Sequence, residues 1–184
     1  MKTMPRLFAA LLVALAAAAS HAQQSARIGL VLGAAYCAFQ LLFPLRFLVY
    51  GGNVLWHEQG MRFSWRVMVR AKGGDTSFVV RDERNGRTYH VRPDTYLTGL
   101  QESEMSSQPD LILQLAHHIA KDFAARGISP VSVRAETHVS LNGRRSAPLI
   151  DPNVDLLQQR DGLGLAHFVL PAPPNAPPHT RAVF

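Results

Sequence analysis

The sequence predicts an α+β fold, an antiparallel sheet with one packed helix, preceded by one or two hydrophobic N-terminal helices. Residues 131–141 alternate apolar and polar side chains, the period of a half-buried strand. Residues 109–126 carry apolar side chains at helical spacing. Asn85-Gly86 separates two short strand-like segments and is a strong hairpin signal. Strands and a helix that each bury one face are expected to pack together.

The length of the chain and the location of its net charge exclude some classes of function. The chain has 184 residues, enough for one domain of ordinary size plus a membrane-targeting head. Its net charge is +6, but residues 1–50 hold four basic residues and no acidic one, so most of the excess flanks hydrophobic segments. No basic run is interleaved with aromatic residues, so we expect no nucleic-acid partner. The single cysteine, Cys37, excludes an internal disulfide and a cysteine-based metal site.

Residues 1–22 have the organisation of a secretory signal, or of a first hydrophobic anchor. Two cations precede an apolar centre at 7–19, and Ser20-His21-Ala22 is a small-x-small cleavage site. The centre has 13 residues, short for a membrane span, which typically needs ~20. Cleavage and retention both stay open.

Residues 23–50 are predicted to contain a membrane helix. Eighteen uncharged residues separate Arg27 from Arg46, and Gln40 and Pro44 lie near the end of that stretch. The segment could cross the bilayer, lie in its interface, or pack against partner helices that tolerate those two residues, and we favour the third. The location predicted is a membrane, of the bacterial inner-membrane type, with the side of the following domain open.

The domain is predicted to occupy residues 51–170. Residues 62–71 alternate like a strand, which Lys72-Gly73-Gly74-Asp75 is expected to end. Strands at 77–83 and 88–92 would flank a two-residue hairpin loop. That loop would pair Val80 with Val91.

The second half of the domain begins with the helix at 109–126, for which Pro109 suits the first turn. Phe123 is expected to lie in the core. The strand at 131–141 ends at an Asn142-Gly143 turn, and residues 150–156 predict a turn into a short helix that Asp151 and Asp155 would cap and start. Residues 171–184 contain five prolines and predict a disordered tail.

An ordered set of short segments resembles the vitamin K-dependent gamma-carboxylase family. The set covers about residues 38–170 and comprises Gln40–Arg46, Gly52-Asn53, Trp56, Phe63–Arg70, Tyr96–Thr98, Pro109-Asp110 with Gln114 and Ala116, Leu141–Arg144, and Ile150–Pro152 with Asp155. It looks like the last membrane helix and the C-terminal extramembrane domain of that family. The resemblance implies an acidic substrate, because the animal enzymes epoxidise reduced vitamin K and carboxylate glutamate.

In that family, the catalytic base and the quinone pocket belong to a multi-helix membrane module. Nothing upstream of residue 28 could be that module, so we expect a split or truncated relative with no cofactor of its own. Reduced vitamin K or another quinone would enter only with a membrane module in trans. The expected partners are membrane lipid, a multi-helix membrane protein and an acidic peptide. Lyase activity of the chain alone stays open, and Phe63 stands where the animal enzymes have a tyrosine.

Trp65, Arg66 and Arg70 are the candidate substrate-binding residues. Guanidinium groups match carboxylates geometrically, and the family's glutamate-recognition region looks like this segment. On a strand, Arg66 and Arg70 would share one face ~13 Å apart, which requires two anionic groups or an extended acidic peptide. The alternative is structural, with Trp65 as a core or interface anchor and both arginines on a solvated face.

Other polar residues predict no site. His57-Glu58 lacks the second histidine of a zinc helix, and His117 and its neighbour face different directions. His138 beside Glu136 fits exposed strand decoration better than a general base with an orienting acid. Ser64 has no convincing histidine partner. We therefore predict no metal site and assign no catalytic residue, and the rival function is a non-catalytic periplasmic or membrane-anchored protein-binding domain. A free-standing periplasmic enzyme is a third, weaker option.

Overall fold

The structure, a computed structural model, describes residues 23–24, 26–66 and 68–174. The signal-like segment 1–22 and most of the proline-rich tail lie outside these residues. The chain divides into two units, Met1–Pro44 and Leu45–Phe184.

Helix α1 occupies residues 26–42 and is followed by a 3-10 helix, Phe43–Val49. The change of helix type coincides with Pro44, which has no backbone N–H to donate. Side chains along α1 are exposed, Leu30, Val31 and Leu32 among them. By length and composition, Ala26–Val49 could cross a membrane, and it is the one such segment among the described residues.

The sheet contains three antiparallel strands, β1 Lys72–Asp82, β2 Thr88–Val91 and β3 Val131–Leu141, in the order β2-β1-β3. β3 has the predicted bounds. Its apolar side, together with Thr137, faces the core, as the alternation predicts.

The hairpin forms around Asn85-Gly86, but its predicted register is wrong by two residues. Val91 lies opposite Phe78 instead of Val80. The loop has four residues rather than two, because Asp82 N–H donates to the carbonyl of Arg87 and Gly86 adopts a left-handed φ of 70°. A shift of two residues leaves every side chain on its predicted face.

The described residues of 62–71 do not form the predicted strand, and residues 59–65 form turns and bends instead. The strand begins at Lys72, in the segment that was expected to break it. Gly74 explains this, since a Cβ there would lie 2.4 Å from the carbonyl oxygen of His138 on β3. The glycine allows a close approach of the two backbones that another residue would block.

The second unit also contains helices α2 Val54–His57, α3 Gly99–Met105 and α4 Pro109–Ala125. The α4 prediction is confirmed to within one residue. Sequence reasoning missed α3, whose signal was the capping pair Thr98 and Gln101, which bond each other's backbone and side chain.

The core lies between α4 and the inner face of the sheet. Phe78, Val80 and Val133 from the sheet are fully buried, as are Ile112 and Ile119 from α4. The short helix predicted after residue 150 is the 3-10 helix Leu156–Gln158, and Asp155 caps it by accepting from Leu157 N–H. Ala172, inside the predicted tail, also packs against the core.

Candidate functional site

A cleft of about 590 Å³ lies beside the segment that joins α2 to β1. Five arginines and three carboxylates supply most of its charged lining: Arg46, Arg62, Arg66, Arg70, Arg160, Glu58, Asp110 and Asp161. Positive charge therefore exceeds negative charge. Tyr50 and the turn at residues 162–166 also line the cleft.

The joining segment curls because its backbone turns left-handed four times. Glu58, Gly60, Phe63 and Met68 have φ values of 61°, 73°, 60° and 56°. Gly60 is required for close packing, since a Cβ there would lie 2.7 Å from Cα of Phe47. The curl brings Glu58, Arg62, Arg66 and Arg70 around one cavity, which an extended strand would not do.

The arginines of this cleft differ in how far they are neutralised. Arg62 forms an ion pair with Asp110, and Arg70 forms one with Glu58. Arg66 is exposed, and its guanidinium carbon lies 4.2 Å from the centre of the Phe47 ring. Stacking on an aromatic ring orients a guanidinium group without cancelling its charge. The Arg66 guanidinium is thus exposed, oriented and charged, and it can bind an anion.

A buried lysine, Lys72, bonds to Glu58 of the cleft lining. The Lys72 side chain is 2% exposed, and its ammonium donates to the carbonyls of Trp56 (2.8 Å) and Ser107 (2.6 Å) and to Glu58 Oε1 (2.9 Å). Three acceptors match the three donors of an ammonium group. Burial lowers the pKa of Lys72, and the Glu58 carboxylate opposes that shift.

Glu58 joins this buried lysine to the cleft, because its carboxylate binds both Lys72 and Arg70. Arg70 is thereby tied to the core, with a side chain 30% exposed. Sequence reasoning missed both Glu58 and Lys72. The sequence signal was slight, since a lysine at the start of a strand and a glutamate after a short helix are ordinary surface residues.

The predicted substrate-binding residues are placed differently from expectation. Arg66 and Arg70 do line the same cleft, but on a curled segment, so the argument from strand spacing is wrong. Trp65 is 63% exposed, so it is not a core anchor, while the alternative of an interface anchor stays a prediction. Substrate binding by these three residues stays a prediction.

The other candidate residues take structural positions. His57 Nε2 lies 2.9 Å from the carbonyl oxygen of Gly51, and its Nδ1 accepts from Gln59 N–H. His117 Nε2 lies 3.1 Å from the carbonyl oxygen of Gln159. Glu136 and His138 are exposed on the outer face of β3. Within the described part of the chain, no three His, Cys, Asp or Glu side chains are grouped so as to hold a metal ion.

Tyr96 provides a pH-dependent contact between α4 and the segment before α3. Its hydroxyl donates to Asp122 Oδ2 at 2.5 Å. Burial, aided by this bond, raises the pKa of Tyr96 to about 12, and the same bond lowers the pKa of Asp122. In an unfolded chain the phenol ionises near pH ~10. The bond should therefore stabilise the fold fully below pH ~10 and progressively less as the pH rises toward 12.

Tyr96→Phe should remove that part of the alkaline destabilisation, because phenylalanine carries no ionisable hydroxyl. Urea unfolding at about pH 7, 9 and 11, values that lie on both sides of the free phenol pKa of ~10, measures it. The difference in midpoint between wild type and variant should shrink from pH 9 to 11. Tyr89→Phe is the matched control and should keep the wild-type loss. A constant difference across the three pH values would contradict the assignment.

A family model described as the lumenal domain of vitamin K-dependent gamma-carboxylase matches residues 25–175. The matched range includes α4, all three strands and every residue that lines the cleft. No solved structure matches the chain.

Proposed function

Because the chain belongs to the vitamin K-dependent gamma-carboxylase lumenal-domain family, we propose that it holds an acidic peptide at a membrane surface. The arginine-lined cleft carries this proposal. Its volume of about 590 Å³ lies within the range of ligand sites, ~300–1,000 Å³, and its excess of guanidinium groups favours carboxylates.

In the proposed complex, Arg66 contacts a glutamate side chain of the peptide. Phe47 orients the guanidinium from below and limits its freedom, so less entropy is lost on binding. Arg70 has a different task, because its bond to Glu58 is already made. It holds the cleft wall in place and adds positive potential.

The cleft does not fit a quinone. A prenylated ring system needs a largely apolar pocket, whereas charged side chains dominate here. We therefore propose that a multi-helix membrane partner supplies the quinone site and the proton-abstracting base. This chain would then contribute substrate positioning, attached to the membrane through Ala26–Val49.

Arg66→Ala should weaken binding of a glutamate-rich peptide about tenfold, because one charge-assisted hydrogen bond contributes ~1.5 kcal/mol or more. Fluorescence anisotropy with a labelled peptide and the full chain in detergent micelles measures the affinity. The salt dependence should weaken in the same variant. A peptide with glutamine in place of glutamate should bind poorly to both proteins.

Arg134→Ala is the matched control, because Arg134 is exposed on the outer face of β3, away from the cleft lining. It should leave the affinity unchanged. Equal affinity and equal salt dependence for wild type and Arg66→Ala would refute acidic-substrate binding in this cleft. That result would favour the rival function, a non-catalytic protein-binding domain.

A further inference from the structure

The segment at residues 61–70, here called the aromatic loop, exposes four large apolar side chains among its described residues, of which Val69 is the least exposed at 45%. Phe63 is 79% exposed, Trp65 is 63% exposed and Met68 is 97% exposed. Single exposed apolar residues are ordinary, but a group of this kind marks a surface that something covers.

The backbone of the aromatic loop holds these side chains outward. Phe63 and Met68 both have left-handed φ values, 60° and 56°, which are unfavourable for bulky residues. Such conformations persist where the surrounding structure imposes them. The C-terminal end of the loop is anchored by Asn142, which accepts from Ala71 N–H at 2.6 Å and donates to the carbonyl of Val69.

Arginines alternate with the apolar residues of the aromatic loop. Arg62 and Arg66 are both exposed, and the guanidinium of Arg46 lies 5.9 Å from the centre of the Phe63 ring. Tryptophan and phenylalanine favour the headgroup level of a bilayer, and arginine favours the phosphates of anionic lipids. The composition of the loop therefore matches a membrane–water interface better than a polar protein surface.

The position of the loop agrees with its composition. Arg66 stacks on Phe47, and Gly60 packs against the backbone of the same residue. Phe47 belongs to the last turns of Ala26–Val49, the candidate membrane span. The aromatic loop thus lies against the end of the segment that would emerge from the bilayer.

We propose that the aromatic loop docks on the membrane surface, with Phe63, Trp65 and Met68 entering the interface and the exposed Arg62 meeting anionic lipid phosphates. This contact is separate from peptide binding in the cleft. It would fix the orientation of the domain relative to the bilayer, which a single span cannot do alone.

Tryptophan fluorescence of the full chain in lipid vesicles tests the proposal. The chain has two tryptophans, and Trp56 is 2% exposed in the core, so Trp65 supplies the environment-sensitive signal. In vesicles containing anionic lipid, emission should shift to the blue relative to the chain in lipid-free amphipol. Lipids brominated near the glycerol should quench it more than lipids brominated at the chain ends. Acrylamide quenching should fall.

Trp65→Phe is the first control, and its remaining Trp56 emission should respond to neither quencher. The double variant Phe63→Ser, Met68→Ser changes only exposed positions, so its unfolding midpoint should stay near wild type while Trp65 quenching by shallow bromolipids declines. Purely zwitterionic vesicles should give weaker quenching than anionic ones. If Trp65 stays fully accessible to acrylamide in anionic vesicles and insensitive to bromolipids, the proposal is overturned. Protection from acrylamide by a soluble protein in the absence of lipid would overturn it too.

The peptide assay in micelles does not depend on this contact. Loss of lipid quenching with intact peptide binding would overturn the docking proposal and leave the proposed function standing. Loss of peptide binding with intact quenching would do the reverse.

Discussion

Lys72→Ala is expected to lower the free energy of unfolding by about 3–5 kcal/mol, the range for removing one partner of a buried ion pair. The Lys72 side chain is 2% exposed and that of Glu58 is 10% exposed, so water cannot replace the lost ammonium. The carbonyls of Trp56 and Ser107 would each lose a donor at the same time. The midpoint and slope of urea unfolding, followed by circular dichroism, measure the loss.

The matched control is Lys121→Ala, an exposed lysine on α4 that should change the unfolding free energy by ~0.5 kcal/mol or less. Lys72→Met keeps most of the side-chain volume and should recover the packing but not the charge. A Lys72→Met variant as stable as wild type would show that the ammonium does not hold these segments together.

Phe123→Ala should cost roughly 3–5 kcal/mol, the usual cost of emptying a buried aromatic site. The side chain is 5% exposed on the inner face of α4 and meets the Tyr89 ring edge-on, with centroids 5.4 Å apart. Truncation would leave a cavity between α4 and β2 and remove the aromatic pair. Equilibrium urea unfolding of the variant against wild type measures the effect.

Leu100→Ala provides the control for that change, because Leu100 is a large apolar side chain on α3 that is 77% exposed. It should move the unfolding midpoint little. An unchanged midpoint for Phe123→Ala would mean that α4 does not pack on the sheet through this residue. A large decrease in the unfolding midpoint of Leu100→Ala would mean that another molecule covers α3 in solution.

The elements predicted most accurately from the sequence are those in which the spacing of apolar residues matches the buried face of the element. β3 alternates over its whole length, and α4 repeats at helical spacing between Pro109 and a terminal glycine. One face of each is buried, so the pattern along the chain and the packing in space carry the same information. The same logic failed for residues 62–71, which alternate equally well.

The failure has a physical cause. A strand needs a partner for its backbone hydrogen bonds, and alternation does not say whether a partner is present. β1 pairs with β3 along its full length, from Lys72 opposite Leu141 to Asp82 opposite Val131. The segment before it instead turns left-handed at Phe63 and Met68 and packs beside Phe47.

The candidate site was predicted in part. Sequence alone was enough to select Arg66 and Arg70, because their residue types and neighbours resemble a carboxylate-binding region, and the structure brings both to one cleft. It was also enough to identify the family and the α+β class. The support beneath the cleft could not be predicted, since Lys72 is buried by contacts with Trp56, Glu58 and Ser107, which lie 14 to 35 residues away in sequence. Local pattern reports which face of an element is apolar, whereas the burial of a charged group depends on which distant segments converge on it.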